Sequence, residues 1–207
     1  MHSRTFYAVI AVVAIAAIAV AAISISYLYL PPSEMRFVEQ RVEFGDALWG
    51  IRLHVAGGIV ALLLGPVQFL PFIRRRFVAA HRWIGRAYLV AVAAGSIGAF
   101  VLAPTAFGGL PSTVGFILLA TLWLGSAAIA YCRIRERDIA GHRAWMLRTY
   151  ALTFAAVTIR IELVALHSVA GFDFEAAYTT VAWLCWVPNL ILMELWLAYR
   201  GGRSVAA

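Results

Sequence analysis

Six apolar runs, each long enough to cross a lipid bilayer, set the main limit on how this chain can fold. A bilayer has a hydrocarbon core about 30 Å thick, which a helix of about 20 apolar residues spans. The runs cover residues 6–30, 48–73, 84–104, 113–132, 146–168 and 177–199. Each run predicts a helix, because a helix satisfies its own backbone polar groups inside a membrane. The chain is therefore predicted to be all-α, a polytopic membrane helix bundle that forms one transmembrane domain over residues 1–207.

Composition also favours a membrane over an aqueous setting. Of the 207 residues, 63% are hydrophobic and 13% are charged, and the mean hydropathy is +0.86. A soluble chain of this length could not cover its surface with so few charges. The formal charge of +7 would suggest nucleic acid as the partner of a soluble protein, but in a membrane protein the positions of the charges carry the information. We expect the lipid bilayer, and no nucleic acid, as the partner.

Arginine positions predict the orientation, because short cytoplasmic loops are enriched in basic residues. The connections after the second and fourth runs are rich in arginine, with Arg74, Arg75, Arg76, Arg82, Arg86, Arg133, Arg135, Arg137, Arg143 and Arg148. The opposite loops are more acidic, with Glu34, Glu39, Glu43, Asp46, Asp173 and Glu175 against Arg36, Arg41 and Arg52. Both termini are thus predicted on the cytoplasmic side of a bacterial inner membrane. We expect the cytoplasmic arginines to meet anionic lipid headgroups.

The two arginine-rich connections share a pattern. Each contains His-Arg, a tryptophan and Arg-x-Tyr, within residues 81–88 and 142–150. The second and fourth runs, which precede the two copies, cross the membrane in the same direction, and so do the third and fifth runs, which follow them. The pattern therefore predicts that hairpins 48–104 and 113–168 are parallel repeats. The alternative is that arginine and aromatic residues gather at any cytoplasmic interface.

Two histidines lie toward each predicted membrane face. His54 is near the outer end of the second run and His167 is at the outer end of the fifth, whereas His81 and His142 lie at the cytoplasmic ends of the third and fifth. Neutral imidazoles on two facing helices are the axial ligands that a bis-histidine haem iron requires. The pattern predicts bound haem b, with His54 and His167 as outer ligands and His81 and His142 as inner ligands.

Helical spacing of 3.6 residues per turn places small or polar residues on the same faces as these histidines. The stripe of the fifth run consists of His142, Thr149, Thr153, Arg160 and His167. The stripe of the second consists of His54, Gly58, Ala61, Gly65 and Gln68, and that of the third of His81, Gly85, Val92 and Ala99. Such narrow faces leave room for a flat ring. They also allow helices to pack backbone to backbone with no cofactor between them.

Ionisable residues within the runs are costly and are usually functional or paired. Arg160 and Glu162 lie well inside the fifth run, and Glu194 lies inside the sixth. Arg160 is predicted to neutralise a haem propionate or to bind a quinone-like ligand. The alternative is an ion pair between Arg160 and Glu194 or Glu162.

Several motifs resemble those of a known family. The chain carries His54, Gly65-Pro66-Val67-Gln68-Phe69, His81-Arg82-Trp83-Ile84-Gly85-Arg86-Ala87-Tyr88, His142-Arg143-Ala144-Trp145-Met146-Leu147-Arg148 and Arg160. Over about residues 48–168 it looks like the bacterial membrane family called domain of unknown function 2306. It is more loosely similar to the six-helix di-haem cytochromes b of the ascorbate-dependent, ferric-reductase kind. That similarity implies b-type haem and electron transfer, although here the fourth run has no histidine and the fifth has two.

These observations favour a b-type cytochrome-like electron carrier, a membrane oxidoreductase if it is an enzyme, with a redox partner or quinone. One alternative is a small transporter or lipid-binding membrane protein, in which Arg160, Glu162 and Glu194 line a substrate path. Helix breaks at Gly65-Pro66 or at Pro188 would favour it. A further alternative is a structural membrane subunit without a cofactor. The sequence contains no phosphate-binding or serine-hydrolase motif.

Overall fold

The computed structural model describes residues 3–35, 45 and 47–205, and the regular structure within them is helical, with no strand. The helices are Ser3–Ser24, Leu48–Phe69, Pro71–Arg76, Val78–Leu102, Gly109–Arg135, Ile139–Thr153, Ala155–Leu163, Phe174–Leu184 and Val187–Val205. Short 3-10 turns occupy Ile25–Leu28, Pro32–Glu34 and Ala103–Thr105, and a π-helical turn occupies Val164–Val169. The all-α prediction is confirmed. The predicted external residues Arg36, Glu39, Arg41, Glu43 and Asp46 lie outside the described residues.

Six helical segments of the described chain are long and apolar enough to cross a membrane, as predicted. We number them as the first to sixth spans: Arg4–Leu28, Leu48–Phe69, Val78–Thr105, Gly109–Arg135, Ile139–Val169 and Phe174–Arg200. The third and fifth begin earlier than the predicted apolar runs, because arginine is a good helix former and the helix continues through the basic segments.

Two prolines of the second apolar run differ in their effect on the helix. The second span ends at Phe69 rather than at residue 73, because Leu70 precedes Pro71 and is extended, with φ −67° and ψ 119°. The possible break at Gly65-Pro66 is not present, since the helix Leu48–Phe69 is continuous through Pro66. Proline removes one backbone donor, and membrane helices tolerate this loss where neighbouring groups or local adjustment of the helix satisfy the freed carbonyl.

The chain divides into two compact units, residues 1–105 and residues 106–207. In the first unit, the second and third spans form an antiparallel hairpin. Gly50 lies against Val101 near one end, and Gly85 lies beside Gln68 near the other. Small residues between these points let the two backbones approach closely. The core of this hairpin includes the fully covered side chains of Ala61, Leu62, Tyr88 and Val92.

The first span packs against the second at one end. Tyr27, Met35 and Ile51 are buried together there. Elsewhere the first span carries exposed apolar side chains, including Val12 and Ile15 at 66% and 67% exposure. Such side chains suit a helix in lipid, because hydrocarbon tails are as apolar as the side chains themselves.

In the second unit, the fourth span packs against both the fifth and the sixth. Trp123 donates from its ring nitrogen to Thr153 Oγ1 at 2.8 Å, and Trp183 donates to the Pro111 carbonyl at 3.1 Å. The fifth span is interrupted at Phe154 and the sixth at Cys185–Trp186. The single domain over residues 1–207, the cytoplasmic termini and the hairpin repeat stay predictions.

Candidate functional site

His54 is held at the hairpin of the first unit. Its Nδ1 lies 2.9 Å from the carbonyl oxygen of Gly95 on the third span. The helices meet closely here, because a Cβ on Gly98 would overlap the His54 backbone nitrogen. A carbonyl can only accept a hydrogen bond, so Nδ1 carries the proton and the imidazole lone pair is on Nε2.

His142 is held in the same way in the second unit. Its Nδ1 lies 2.8 Å from the carbonyl oxygen of Ala130 on the fourth span. A tight connection brings His142 to this position, and the Asp138 side chain caps the fifth span by accepting from the Gly141 amide at 2.8 Å. The resulting hydrogen bond again places the proton on Nδ1.

His167 lies in the π-helical turn at the end of the fifth span. Its Nδ1 is 2.9 Å from the Phe172 carbonyl oxygen, and its ring meets Phe174 edge to face at 5.6 Å between centroids. The side chain is exposed. A local turn therefore fixes the ring of His167, whereas a neighbouring span fixes His54 and His142.

His81 lies in the first turn of the third span and is half-buried. One turn later, a Cβ on Gly85 would meet only the Gln68 side chain, at 3.5 Å from Oε1. The room predicted beside His81 for a flat ring is thus bordered by Gln68, which is buried. The helical spacing predicted that Gln68 lies on the same face of the second span as His54. The pairing of His81 with His142, and of His54 with His167, stays a prediction.

Three of the predicted ligands thus share one feature, an Nδ1–H that donates to a main-chain carbonyl. This arrangement is common in metal-ligating histidines, where the second ring nitrogen fixes the tautomer and the ring orientation. Among the described residues no group of three or more His, Cys, Asp or Glu side chains could hold a metal ion. A haem iron differs from such sites because it needs only two axial imidazoles from the protein.

Arg160 is partly buried in the fifth span, and its guanidinium Nη1 donates to the Ala156 carbonyl at 2.5 Å. The side chain therefore folds back along its own helix. Its predicted place near a propionate or a quinone stays a prediction.

The partner of Glu194 is Arg148, which sequence reasoning missed. The guanidinium Nε and Nη2 donate to the two carboxylate oxygens at 2.5 and 2.7 Å. The guanidinium also lies over the Trp145 ring, 4.7 Å from its centroid. The ion pair suggested for Arg160 with Glu194 is thus made by Arg148 instead. The sequence signal was present, because both residues lie in apolar surroundings, but 46 residues separate them.

A polar network joins the two interrupted spans. Asn189 Nδ2 donates to the carbonyls of Cys185 and Ala151 at 2.8 and 3.3 Å, and lies 3.2 Å from Thr158 Oγ1. Thr158 Oγ1 also donates to the Cys185 carbonyl at 2.5 Å. Where a helix is interrupted, backbone carbonyls lose helical donors, and inside a membrane side chains have to replace them. The interruption near Pro188 agrees with the break predicted there, whereas the one at Phe154 had no proline signal.

Replacing Asn189 by leucine is expected to lower the free energy of unfolding by about 1–2 kcal/mol, because carbonyls beside both interruptions lose a donor inside the membrane. Unfolding of the detergent-solubilised protein in increasing dodecyl sulfate measures the change. Thr180→Val is the matched control, since the exposed Thr180 hydroxyl bonds only within its own helix, to Ala176. Equal stability of the two variants would contradict the prediction.

The comparisons with known proteins agree with the assignment to a membrane. The model of the family described as a predicted membrane protein, domain of unknown function 2306, matches residues 51–197. No curated protein and no solved structure matches the chain. The matched range includes all four candidate histidines and Arg160, while the looser similarity to di-haem cytochromes stays a prediction. The chain belongs to the domain of unknown function 2306 family of membrane proteins.

Proposed function

We propose that this membrane protein is a b-type cytochrome-like electron carrier of the bacterial inner membrane. Its haem ligands would be His54 and His167 toward the outer face, and His81 and His142 toward the cytoplasm. The observation that carries the proposal is the bond from Nδ1–H to a main-chain carbonyl, which His54, His142 and His167 share. That bond puts the lone pair on Nε2, the nitrogen that would ligate iron.

Space beside His54 adds support. Gly58 follows His54 by one helical turn, and a Cβ built on Gly58 would meet no atom within 4 Å. A flat ring next to an imidazole needs such an open surface, and a larger side chain at this position would narrow it. Bound haem would supply one-electron redox chemistry. The chain would supply axial imidazoles of fixed orientation and an apolar setting.

Arg160 and the cytoplasmic arginines have different proposed roles. Arg160 would provide a positive charge within the membrane for a propionate or a quinone-like ligand. The cytoplasmic arginines would meet anionic headgroups, and the exposed Arg86–Trp83 pair supports this role. The Arg86 guanidinium lies 4.7 Å from the Trp83 ring centroid, and Trp83 is 68% exposed. Tryptophan and arginine together are typical of the membrane–water interface.

The test is a reduced-minus-oxidised visible spectrum of detergent-purified protein produced with ample haem. We expect a Soret band and a sharp reduced α-band. His54→Ala and His142→Ala should each remove about half of the absorbance, because each would abolish one of two bis-histidine sites. Thr180→Val is the control and should leave both bands unchanged.

A colourless protein that is stably folded would overturn the proposal. The alternatives would then be a small transporter or lipid-binding protein, or a structural subunit. Stabilisation of the purified protein by an added substrate would separate the first of these from the second.

A further inference from the structure

Glu162 is an acidic side chain within the fifth span that neither the haem proposal nor the described ion pairs use. Its Oε2 atom is buried and has no hydrogen-bond partner among the described residues. The residue precedes the end of the span at Val169 by seven positions, which corresponds to about 10 Å along a helix. A carboxyl group at this depth is costly unless something compensates its charge.

No described ion pair includes Glu162, although polar groups lie one helical turn away. Thr158, one turn earlier on the same helix face, bonds to the Cys185 carbonyl of the sixth span. The Cys185 thiol of the sixth span is a titratable group close enough to Glu162 to interact with it electrostatically. On the fifth span itself, Arg160 donates to the Ala156 carbonyl. The described ion pairs of this unit involve Arg133 and Arg148, with other acids as partners.

An ionised carboxylate without a compensating cation is far more costly in an apolar setting than the neutral acid. A proton is then the cation that the site can take with the least rearrangement. The adjacent network of Thr158 and Asn189 supplies hydroxyl and amide groups where both spans are interrupted. Interrupted helices with polar groups at membrane depth are typical of ion and proton sites.

We propose that Glu162 is a reversible proton-binding site within the membrane, loaded from the end of the fifth span near Val169. The proposal goes beyond the haem hypothesis and does not depend on it. A proton held here would be available for exchange across part of the bilayer, whatever redox or transport process the protein carries out.

Dicyclohexylcarbodiimide tests the proposal, because this apolar reagent modifies protonated carboxyl groups in apolar surroundings and leaves ionised ones largely unreacted. The full-length protein is treated in native membranes, and the adducts are located by mass spectrometry of peptides. We expect Glu162 to be modified roughly tenfold more than Glu194 or Glu175. The yield at Glu162 should fall as the pH rises, because deprotonation removes the reactive form.

Glu194 and Glu175 are matched controls of different kinds. Glu194 also lies within a span but is paired with Arg148, and Glu175 is exposed near the start of the sixth span. Glu162→Gln should abolish the adduct, whereas Glu194→Gln should leave it unchanged. Absence of a Glu162 adduct at every pH, equal yields at the three acids, or a yield independent of pH would each overturn the proposal. The wild-type pH profile decides the matter even where a variant fails to fold.

Discussion

Replacing Gly57 by alanine is expected to lower the free energy of unfolding of the first unit by about 3 kcal/mol. A Cβ at Gly57 would lie 2.5 Å from both the Ala91 carbonyl oxygen and the Gly95 backbone nitrogen. Both are main-chain atoms of the third span, so neither can move away as a flexible side chain would. The second and third spans would have to separate, and the packing of the small residues along the hairpin would be lost.

Gly58→Ala is the matched control, one residue along the same helix. A Cβ there would meet nothing within 4 Å. Alanine is a better helix former than glycine by about 1 kcal/mol in soluble hosts, so this variant should be as stable as the wild type or slightly more stable. Dodecyl sulfate unfolding followed by circular dichroism measures both changes. If Gly57→Ala and Gly58→Ala are equally stable, the close approach of the two helices is wrong.

Gly57→Ala should also affect His54. The hydrogen bond from His54 to Gly95 depends on the approach of the two spans at Gly57 and Gly98. Separation of the spans would release the imidazole from its fixed orientation. Under the haem proposal, Gly57→Ala should therefore weaken the absorbance of the outer haem, while Thr180→Val, which changes an exposed hydroxyl far from the hairpin in sequence, should preserve it.

The sequence predicted the number and type of the spans because their signal is local. A run of apolar residues of bilayer length needs no knowledge of its neighbours to be recognised as a helix. The predicted ends of the spans were less accurate where arginines interrupt the apolar run but continue the helix, as at the start of the third span. Leu70-Pro71 shows the opposite case, in which a steric rule at one dipeptide ends a helix inside an apolar run.

The contacts of the candidate site could not be predicted because they depend on how the helices align. His54 and His142 were identified from the sequence, but their carbonyl partners, Gly95 and Ala130, carry no side-chain signal. Main-chain carbonyls are the same at every residue, so only the alignment of the spans selects one. The interruption at Phe154 likewise has no proline or glycine to mark it.

Breaking the Arg148–Glu194 pair is the second change expected to have a large effect. Glu194→Gln should lower the free energy of unfolding of the second unit by about 2 kcal/mol, because the Arg148 guanidinium, with a side chain 21% exposed, loses its bidentate carboxylate partner, whose side chain is 48% exposed. Both nitrogen–oxygen contacts, at 2.5 and 2.7 Å, would be lost as charge-assisted bonds. The measurement is dodecyl sulfate unfolding of the full-length protein, as for the glycine variants.

A double-mutant cycle separates the pair from other effects of either side chain. Arg148→Gln combined with Glu194→Gln should be less destabilising than the sum of the single changes, since neither variant residue leaves a charge unpaired. The control is Glu136→Gln, which breaks the pair with Arg133 at 3.6 Å. That pair is exposed, with side chains 47% and 61% accessible, so its loss should cost at most about 0.5 kcal/mol. Additive effects of the two single changes would show that Arg148 and Glu194 act independently, and the bidentate geometry would then contribute no stability.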